Sequence, residues 1–231
     1  MHVHLPKPLH GWREFAGEVG IIVLGVLIAL GAEQAIQAIH SQREVAQFRS
    51  AVDLELATTL AAYRYRVDQE PCVKRRLGEV RRWLDASRAG TTLAPAGEIG
   101  RPSLYSFLTS VWKSSSPNVM NNMSLVTRER YAALYDFVGL VDDQLSLEAE
   151  IWRGLNAFNG SSQLSLEDRS KIADLAYRAK SFDDLVVSNY PWFKQQAAEL
   201  GIAPAWGDRE KFVTPPDPEF CAPLFVAKPK R

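Results

Sequence analysis

Histidine, the residue most often used in catalysis, is confined to one end of this sequence. All four histidines lie in the first 40 residues, at His2, His4, His10 and His40. The rest of the chain therefore cannot form Ser-His or Cys-His dyads, and it lacks the ligands of most zinc sites. A metal cluster of His2, His4 and His10 is the one alternative, but it would sit in a terminus with no supporting shell. We predict that the protein is not an enzyme and uses no cofactor.

The two cysteines, Cys72 and Cys221, lie far apart in the sequence and form no C-x-x-C motif. In the cytoplasm they would be two unrelated buried thiols, whereas in an oxidising compartment an even count indicates a disulfide. Cys221 lies in a proline-rich tail that needs a tether. We therefore predict a Cys72–Cys221 disulfide, provided that this part of the chain lies outside the cytoplasm.

Basic residues crowd one predicted helix, at Lys74, Arg75, Arg76, Arg81, Arg82 and Arg88. Two pairs have a spacing of seven residues, Lys74 with Arg81 and Arg75 with Arg82, which places them on one side, opposite the apolar stripe of the helix. Such a face is either simply solvated or a contact for a polyanion or an anionic lipid. Because 27 acidic residues balance 27 basic ones in the whole chain, we predict no nucleic-acid partner.

Residues 15–34 predict a transmembrane anchor. No residue from Val19 to Ala32 is ionisable, a run of about 14 residues or roughly 21 Å of helix against a hydrocarbon core of about 30 Å. Because this run is short, a cleaved signal peptide and a buried core helix are alternatives. We favour the anchor because Trp12 and Phe15 suit the headgroup level and the residues after the run continue as helix.

The orientation of the anchor is predicted from the basic residues around it. Lys7 and Arg13 precede the anchor, whereas the first basic residue after it is Arg43. Basic residues favour the cytoplasmic side of a membrane. We therefore expect residues 1–14 in the cytoplasm and residues 35–201 outside it, as a helical domain.

Small residues line one face of the predicted anchor. Gly25, Ala29 and Ala32 share this face, and Glu18 lies on it one heptad before Gly25. Small residues at such a spacing let two helices approach closely in a bilayer. We predict a homodimer through the anchor; the alternative is a helix that merely contains small residues.

Apolar residues recur at three- and four-residue steps along most of the chain, which predicts an all-α bundle of about five helices. The expected helices are a rod from about 12 to 68 that includes the anchor, one from Pro71 to about 90, a short one capped by Ser103, one over 127–158, and one over 165–200. The last helix is expected to begin with a capping box of Ser165 and Asp168 and to be kinked or broken near Pro191. Residues 114–122 are expected to form a turn region, and residues 202–231, with six prolines, an extended tail.

The N-terminal residues also resemble a known family. Residues 10–34 read H-G-W-R-E-F-A-G-E-V-G-I-I-V-L-G-V-L-I-A-L-G-A-E-Q. This run is similar to the N-terminus of uncharacterised bacterial single-pass inner-membrane proteins, whose anchors carry E-V-x-I-I-V-L-G-V-L-I-A-L ahead of a helical domain. The resemblance covers about residues 10–40. It implies a bacterial inner-membrane protein and implies no activity.

Two functional hypotheses follow from these features. The favoured one is a membrane-tethered, non-enzymatic interaction or scaffold protein of the cell envelope, with the lipid bilayer and an unknown envelope protein as partners. The alternative is a sensor-like module that binds a small ligand between its extracytoplasmic helices. A polar pocket near Trp112, Asn118 or Trp152 would favour the ligand hypothesis, and a dry core with an exposed apolar or Arg-rich face would favour the scaffold.

Overall fold

The computed structural model describes residues 11–93 and 95–225, and the regular elements in this part of the chain are all helices. They are α1 (Gly11–Val67), α2 (Glu70–Arg88), α3 (Ser110–Lys113), α4 (Pro117–Asn122), α5 (Leu125–Asn156), α6 (Leu166–Glu199) and α7 (Pro218–Cys221), with a 3₁₀ helix at Gly207–Phe212. The predicted all-α fold is confirmed. Four of the helices are long, and α3, α4 and α7 are one or two turns each.

Helix α1 is one uninterrupted rod of 57 residues, about 85 Å long at 1.5 Å per residue. Residues 11–40 are exposed on all sides and contain an 18-residue stretch of mean hydropathy 2.3, long and apolar enough to cross a membrane. The same helix then enters the core, where Val52, Leu56 and Leu60 are fully buried. The predicted rod is confirmed. Pro71 lies in the first turn of α2, where its missing N–H has no helical partner to lose.

The bundle is built around the second half of α1. Helix α5 runs parallel to α1 and α6 antiparallel to it, as shown by the contacts Glu55–Tyr135, Arg66–Glu148, Tyr63–Val186 and Arg66–Asp183. Helix α2 packs along α6. The helix α6 begins with the predicted capping box, in which Ser165 and Asp168 each bond the other's backbone N–H.

The buried apolar residues form two separate clusters. The first core cluster joins α1, α5 and the second half of α6, and includes Leu56, Tyr63, Val138, Val186 and Phe193. The second core cluster joins α2, the end of α5 and the first half of α6, and includes Val73, Trp83, Trp152, Ile172 and Phe220. Each cluster holds a different part of the chain onto the long helices.

A buried ionic group lies between the two clusters. The guanidinium of Arg66 donates from Nε to Oε2 of Glu148 at 3.1 Å and from Nη2 to Oδ1 of Asp183 at 3.0 Å, and all three side chains are at most 3 % exposed. We call these residues the Arg66 triad. Burial lowers the pKa of Arg66, but the hydrogen bonds and charges of Glu148 and Asp183 outweigh it and raise the pKa. Burial raises the pKa of Asp183 despite the opposing charge of Arg66.

The expected helix after Ser103 is wrong, because side chains of other helices hold this segment in an extended form. The amide of Gln69 bonds both backbone groups of Ser103 at 2.8 Å. The hydroxyl of Thr59 accepts from the backbone N–H of Leu108 at 3.1 Å. These bonds occupy the backbone groups that a helix would use internally, so α3 begins only at Ser110.

Two further expectations about local structure are wrong. The expected turn region at 114–122 contains α4, which starts at Pro117 after Ser116 accepts a bond from the N–H of Val119 at 3.2 Å. Helix α6 passes through Pro191 without ending, so the expected break is wrong, whereas the expected kink stays a prediction. Phe193 and Ala197, beyond the proline, are both fully buried, so packing holds the helix together where one backbone hydrogen bond is lost.

The Arg66 triad generates a prediction about stability. Replacing Arg66 with Met fits the space but leaves the carboxylates of Glu148 and Asp183 buried together without a counter-charge. We expect Arg66→Met to lower the free energy of unfolding of the full chain in detergent by about 3–5 kcal/mol. Urea unfolding followed by circular dichroism measures this, and a loss below about 1 kcal/mol would show that the triad is not stabilised by its cation.

The control variant Asp183→Asn keeps an acceptor for Arg66 and removes one carboxylate. The pKa of Asp183 is raised above its ordinary 3.8. Between pH 3.8, where the unfolded state titrates, and the raised pKa of the folded state, Asp183 holds its proton more tightly in the folded state. The wild type therefore loses stability as pH rises through this window. The variant has no such loss. Its free energy of unfolding relative to the wild type should increase from acid to neutral pH; a difference that stays constant with pH would contradict the raised pKa.

Candidate interaction site

The proline-rich tail is joined to α2 at the predicted cysteine pair. The Cα atoms of Cys72 and Cys221 are 4.9 Å apart, within the limit of about 7 Å that a disulfide requires, and their sulfur atoms are bonded. Cys72 lies in the first turn of α2 and Cys221 at the end of α7. The predicted proximity of the two cysteines is confirmed, and the bridge closes a loop across most of the domain.

Arg76, one turn beyond Cys72, holds the backbone of the tail. Its Nη2 atom donates to the carbonyl oxygens of Glu219 and Phe220 at 2.9 Å and to that of Ala222 at 3.1 Å. The guanidinium also lies 5.7 Å from the centre of the Phe220 ring. Burial lowers the pKa of Arg76 although the charge of Glu79 opposes this. Arg76, one of the basic residues that crowd this helix, is therefore buried and does not belong to an exposed basic face.

Glu79 completes this attachment from the next turn of α2. Its Oε1 accepts a hydrogen bond from the backbone N–H of Leu224 at 3.0 Å, and the Leu224 side chain is buried. The Phe220 ring packs edge-on against Trp152 at 5.5 Å. The tail as far as Leu224 is thus fastened by a covalent bond, by backbone hydrogen bonds and by two buried apolar side chains. Part of the expected extended tail is helical, in the 3₁₀ helix and α7.

The four residues predicted as a possible anion contact, Lys74, Arg75, Arg81 and Arg82, are all exposed on α2. Most of them have a partner within the protein. Lys74 pairs with Glu70 at 2.5 Å, Arg75 donates to the carbonyl oxygen of Cys221, and Arg82 lies 3.6 Å from Glu79. Within the described part of the chain, Arg81 forms no ion pair. The face is therefore less positive than its sequence indicates.

A groove of about 370 Å³ lies between α2 and α6. Lys74, Arg81, Arg88 and Lys180 line it together with Asp183 and Asp184. Lys180 pairs with Asp184 across one turn of α6, and Arg88 pairs with Asp85 at 3.1 Å. A small excess of positive charge remains, centred on Arg81, beside the ring of Tyr177, which is 71 % exposed. The groove can hold a small anionic group next to an aromatic ring.

A polar pocket near Trp112, Asn118 or Trp152 would have indicated a ligand in the core. The ring of Trp112 stacks on Tyr135 with centroids 5.0 Å apart and planes 5° from parallel. The side chain of Asn118 donates to Glu44 at 2.6 Å. The cavity beside Trp152 measures about 10 Å³, at the lower limit for one water molecule. The side chains of Trp112 and Asn118 thus contact other parts of the chain, and the cavity beside Trp152 is too small for a ligand.

The residues predicted for anchor self-association all lie on the exposed part of α1. Gly25, Ala29, Ala32 and Glu18 share one face of the helix, and a Cβ atom built on Gly25 would meet nothing within 4 Å. Their self-association stays a prediction. His2, His4, His10 and Lys7 lie outside the described residues. Within the described ranges, no group of three His, Cys, Asp or Glu residues is arranged to hold a metal ion.

Comparison with known proteins adds no further information on the function. No family model matches the chain, and no curated protein or solved structure gives a significant match. The function must therefore be inferred from the contacts within the chain itself.

A buried acidic residue that was not predicted from the sequence, Glu55, organises the chain before α4. Glu55 accepts hydrogen bonds from the backbone N–H groups of Val111 and Trp112 at 2.9 and 3.2 Å, and from the hydroxyl of Tyr135 at 2.7 Å. Burial, followed by the bond to Glu55, raises the pKa of Tyr135. The signal was available: Glu55 follows Val52 by three residues and so lies on the same apolar stripe.

The disulfide can be tested apart from the other attachments of the tail. The bridge closes a loop of 149 residues. The chain-entropy model assigns about 5 kcal/mol to such a loop, and measured values are commonly 2–4 kcal/mol. We expect Cys221→Ser to lower the free energy of unfolding by about 2–4 kcal/mol, and the double variant Cys72→Ser/Cys221→Ser to lose the same amount, not twice as much.

The bond itself can be detected by peptide mapping without reducing agent, on protein isolated from cells. We expect a joined pair of peptides that contain Cys72 and Cys221. If both thiols are free in that protein, the disulfide does not form in the cell and the loss on Cys221→Ser should vanish.

Proposed function

We propose that the protein is a membrane-tethered, non-enzymatic interaction or scaffold protein of the bacterial cell envelope. Residues 15–34 would lie in the inner membrane, with residues 1–14 in the cytoplasm and the helical domain in the periplasm. The observation that carries this proposal is the continuity of α1, which passes without a break from an apolar, fully exposed stretch into the core of the domain.

The exposure of the apolar stretch supports the tether. Ile21, Ile22, Leu27 and Ile28 are each at least 61 % exposed, although they belong to the most apolar part of the chain. A soluble protein rarely leaves such a continuous apolar surface in water. The lipid bilayer is therefore the partner that this surface fits best, and a cleaved signal peptide is the alternative.

The orientation is supported by two independent features. Lys7 and Arg13 precede the apolar stretch, and basic residues favour the cytoplasmic side. The cysteine pair is placed for a disulfide, which persists in oxidising compartments such as the periplasm. Both features favour a domain outside the cytoplasm.

The non-enzymatic role is supported by how the buried polar groups are used. Glu148 and Asp183 hold Arg66, Glu55 holds the segment before α4, and Arg76 and Glu79 hold the tail. The hydrogen bonds that these groups form are to the protein's own chain, and among the described residues Nη1 of Arg66, Nε and Nη1 of Arg76 and Oε2 of Glu79 have no hydrogen-bond partner. These contacts make the domain rigid, and α1 holds it at a fixed distance from the bilayer. Such a domain is suited to binding another protein of the envelope.

A second candidate function follows from the groove between α2 and α6. Arg81, which forms no ion pair with the described residues, and the exposed ring of Tyr177 would bind a small anionic aromatic or phosphate-bearing ligand there. This would be a sensor-like module, with the ligand on the surface of the bundle and not in its core. Arg81→Ala, compared with the neighbouring Arg82→Ala, separates a specific site from a general loss of charge.

The orientation generates a direct test. A reporter enzyme that is active only outside the cytoplasm, fused after Arg231, should be active in cells, and a reporter active only inside should be silent. The matched control moves positive charge across the apolar stretch, with Lys7→Glu and Arg13→Glu before it and Gln34→Lys and Gln37→Lys after it. This control should shift activity toward the cytoplasmic reporter. Activity of only the cytoplasmic reporter with the unchanged chain would contradict the proposed localisation.

A further inference from the structure

A heptad stripe runs along α1 from the apolar stretch into the residues that follow it, 33–50, which we call the stalk. Its positions alternate by four and three residues: Gly25, Ala29, Ala32, Ile36, Ile39, Arg43, Ala46 and Ser50. Residues spaced in this way stay on one face of a helix that winds around a partner helix. The stripe therefore continues the small-residue face of the anchor for about 18 residues outside it, and we call the whole stripe the seam.

The domain leaves the seam uncovered. Between residues 41 and 48, the half-buried positions of α1 are Ser41, Glu44, Val45 and Phe48, which face the domain. At 100° per residue these positions lie on the opposite side of the helix from the seam. Arg43, Ala46 and Ser50 are all exposed. The seam ends near Leu54, where Gly207 of the tail lies against the Leu54 side chain.

The apolar residues of the seam beyond the anchor, Ile36 and Ile39, are left exposed by the described part of the chain. Ile36 is 67 % exposed and Ile39 is 52 % exposed, one turn apart, in a part of α1 that should lie in water just above the membrane. An isolated exposed Ile is ordinary, but two at heptad spacing in line with the anchor face indicate a helix–helix contact.

We propose that the seam is a parallel dimer interface, and that its occupant is the seam of a second copy of this chain. This inference rests on the proposed membrane anchoring of α1. Copies anchored in the same membrane have the same orientation and the same depth, so identical positions of the seam meet. The two domains then lie on the outer sides of the pair, because each packs on the face of α1 opposite the seam.

The area of the seam supports a reversible dimer of membrane-anchored copies. From Gly25 to Ser50 the seam is about 39 Å long, and with a helix diameter of about 10 Å its footprint is roughly 390 Å² per copy. Stable complexes of free proteins commonly bury about 800 Å² per partner. The seam is therefore too small to hold two free copies at low concentration, whereas confinement to one membrane raises the effective concentration of each copy for the other.

Arg43 gives the seam a polar position between apolar and small ones. A single charged residue at a core position lowers the stability of a coiled coil but restricts it to arrangements in which the charge can reach water. In a parallel pair both Arg43 side chains lie at the same height, and each is long enough to carry its charge out of the seam to solvent. This position disfavours larger helical assemblies, in which the core is closed on all sides.

Cysteine cross-linking of the full chain in native membranes tests the proposal. Ile36→Cys and Ile39→Cys place a thiol in the seam, and the matched controls Gln34→Cys and Gln37→Cys place one on other faces at the same height. After a brief oxidation, we expect disulfide-linked dimers from the seam variants on the order of tenfold faster than from the controls, because the facing thiol in a dimer is at about millimolar effective concentration. The unchanged chain, with its own two cysteines, gives the background.

A second comparison asks whether the apolar side chains drive the contact. Arg43→Cys serves as the reporter of cross-linking, with Ile36→Glu/Ile39→Glu or the control pair Gln34→Glu/Gln37→Glu added. Because all four positions are exposed in one copy, neither pair should change the melting temperature of the domain. The seam pair should reduce cross-linking at least severalfold, and the control pair should leave it unchanged.

The outcomes separate this inference from the proposed function. Equal cross-linking at all four positions shows random collision and overturns the seam, as does the absence of cross-links at every position. Cross-linking strongest at Gln34 overturns it in favour of another face. Extraction of the same membranes at high pH reports the anchoring separately: a chain that stays with the bilayer but fails the cross-linking test overturns the seam alone, whereas a chain that is washed off overturns the membrane tether and the seam together.

Discussion

The arrangement of the bundle depends on one buried cation, Arg66. A guanidinium without water needs acceptors on several sides, and here they come from two other helices, at Glu148 and Asp183. A carboxylate displaced by one turn would leave the charge unpaired at a cost of several kcal/mol. The triad therefore sets how far α5 and α6 can slide along α1. On α5 and α6 the triad residue lies between the residues of the first core cluster and those of the second. The two apolar regions meet at a polar layer that accepts only one alignment.

Buried polar side chains also hold in place the parts of the chain that are not helical. A segment without regular structure must still satisfy its backbone N–H and carbonyl groups when it is buried. In this protein the long helices supply those bonds from side chains: Gln69 and Glu55 for the segment before α4, and Arg76 and Glu79 for the tail. The irregular segments thus lie along the surface of a helical framework, and each one is held by polar residues that project from a buried helical face.

This explains which features could be predicted from the sequence. Apolar spacing identified the long helices, and Pro71 and the Ser165 capping box marked their starts, because these signals are local. The helix after Ser103 was predicted wrongly and the burial of Arg76 was not predicted, because both depend on contacts that are distant in the sequence. Ser103 resembles a helix cap until Gln69 binds its backbone, and Arg76 looks solvent-facing until the carbonyl groups of the tail, more than 140 residues away, surround it. The sequence signal for such buried contacts is a polar residue that lies on an apolar stripe of a helix. Their partners could not be known before the fold was.

The unbroken course of α1 restricts which insertions and deletions the stalk can accept. Each residue inserted between the apolar stretch and Phe48 would lift the domain by about 1.5 Å and turn it by about 100° about the helix axis. Because the helix has no hinge in this interval, nothing absorbs the rotation. A length change of seven residues leaves the angle within about 20° of its starting value, whereas a change of two or five points the domain in another direction. The length of the stalk can therefore change only in steps of about two helical turns if the domain is to keep the same rotational orientation about the helix axis.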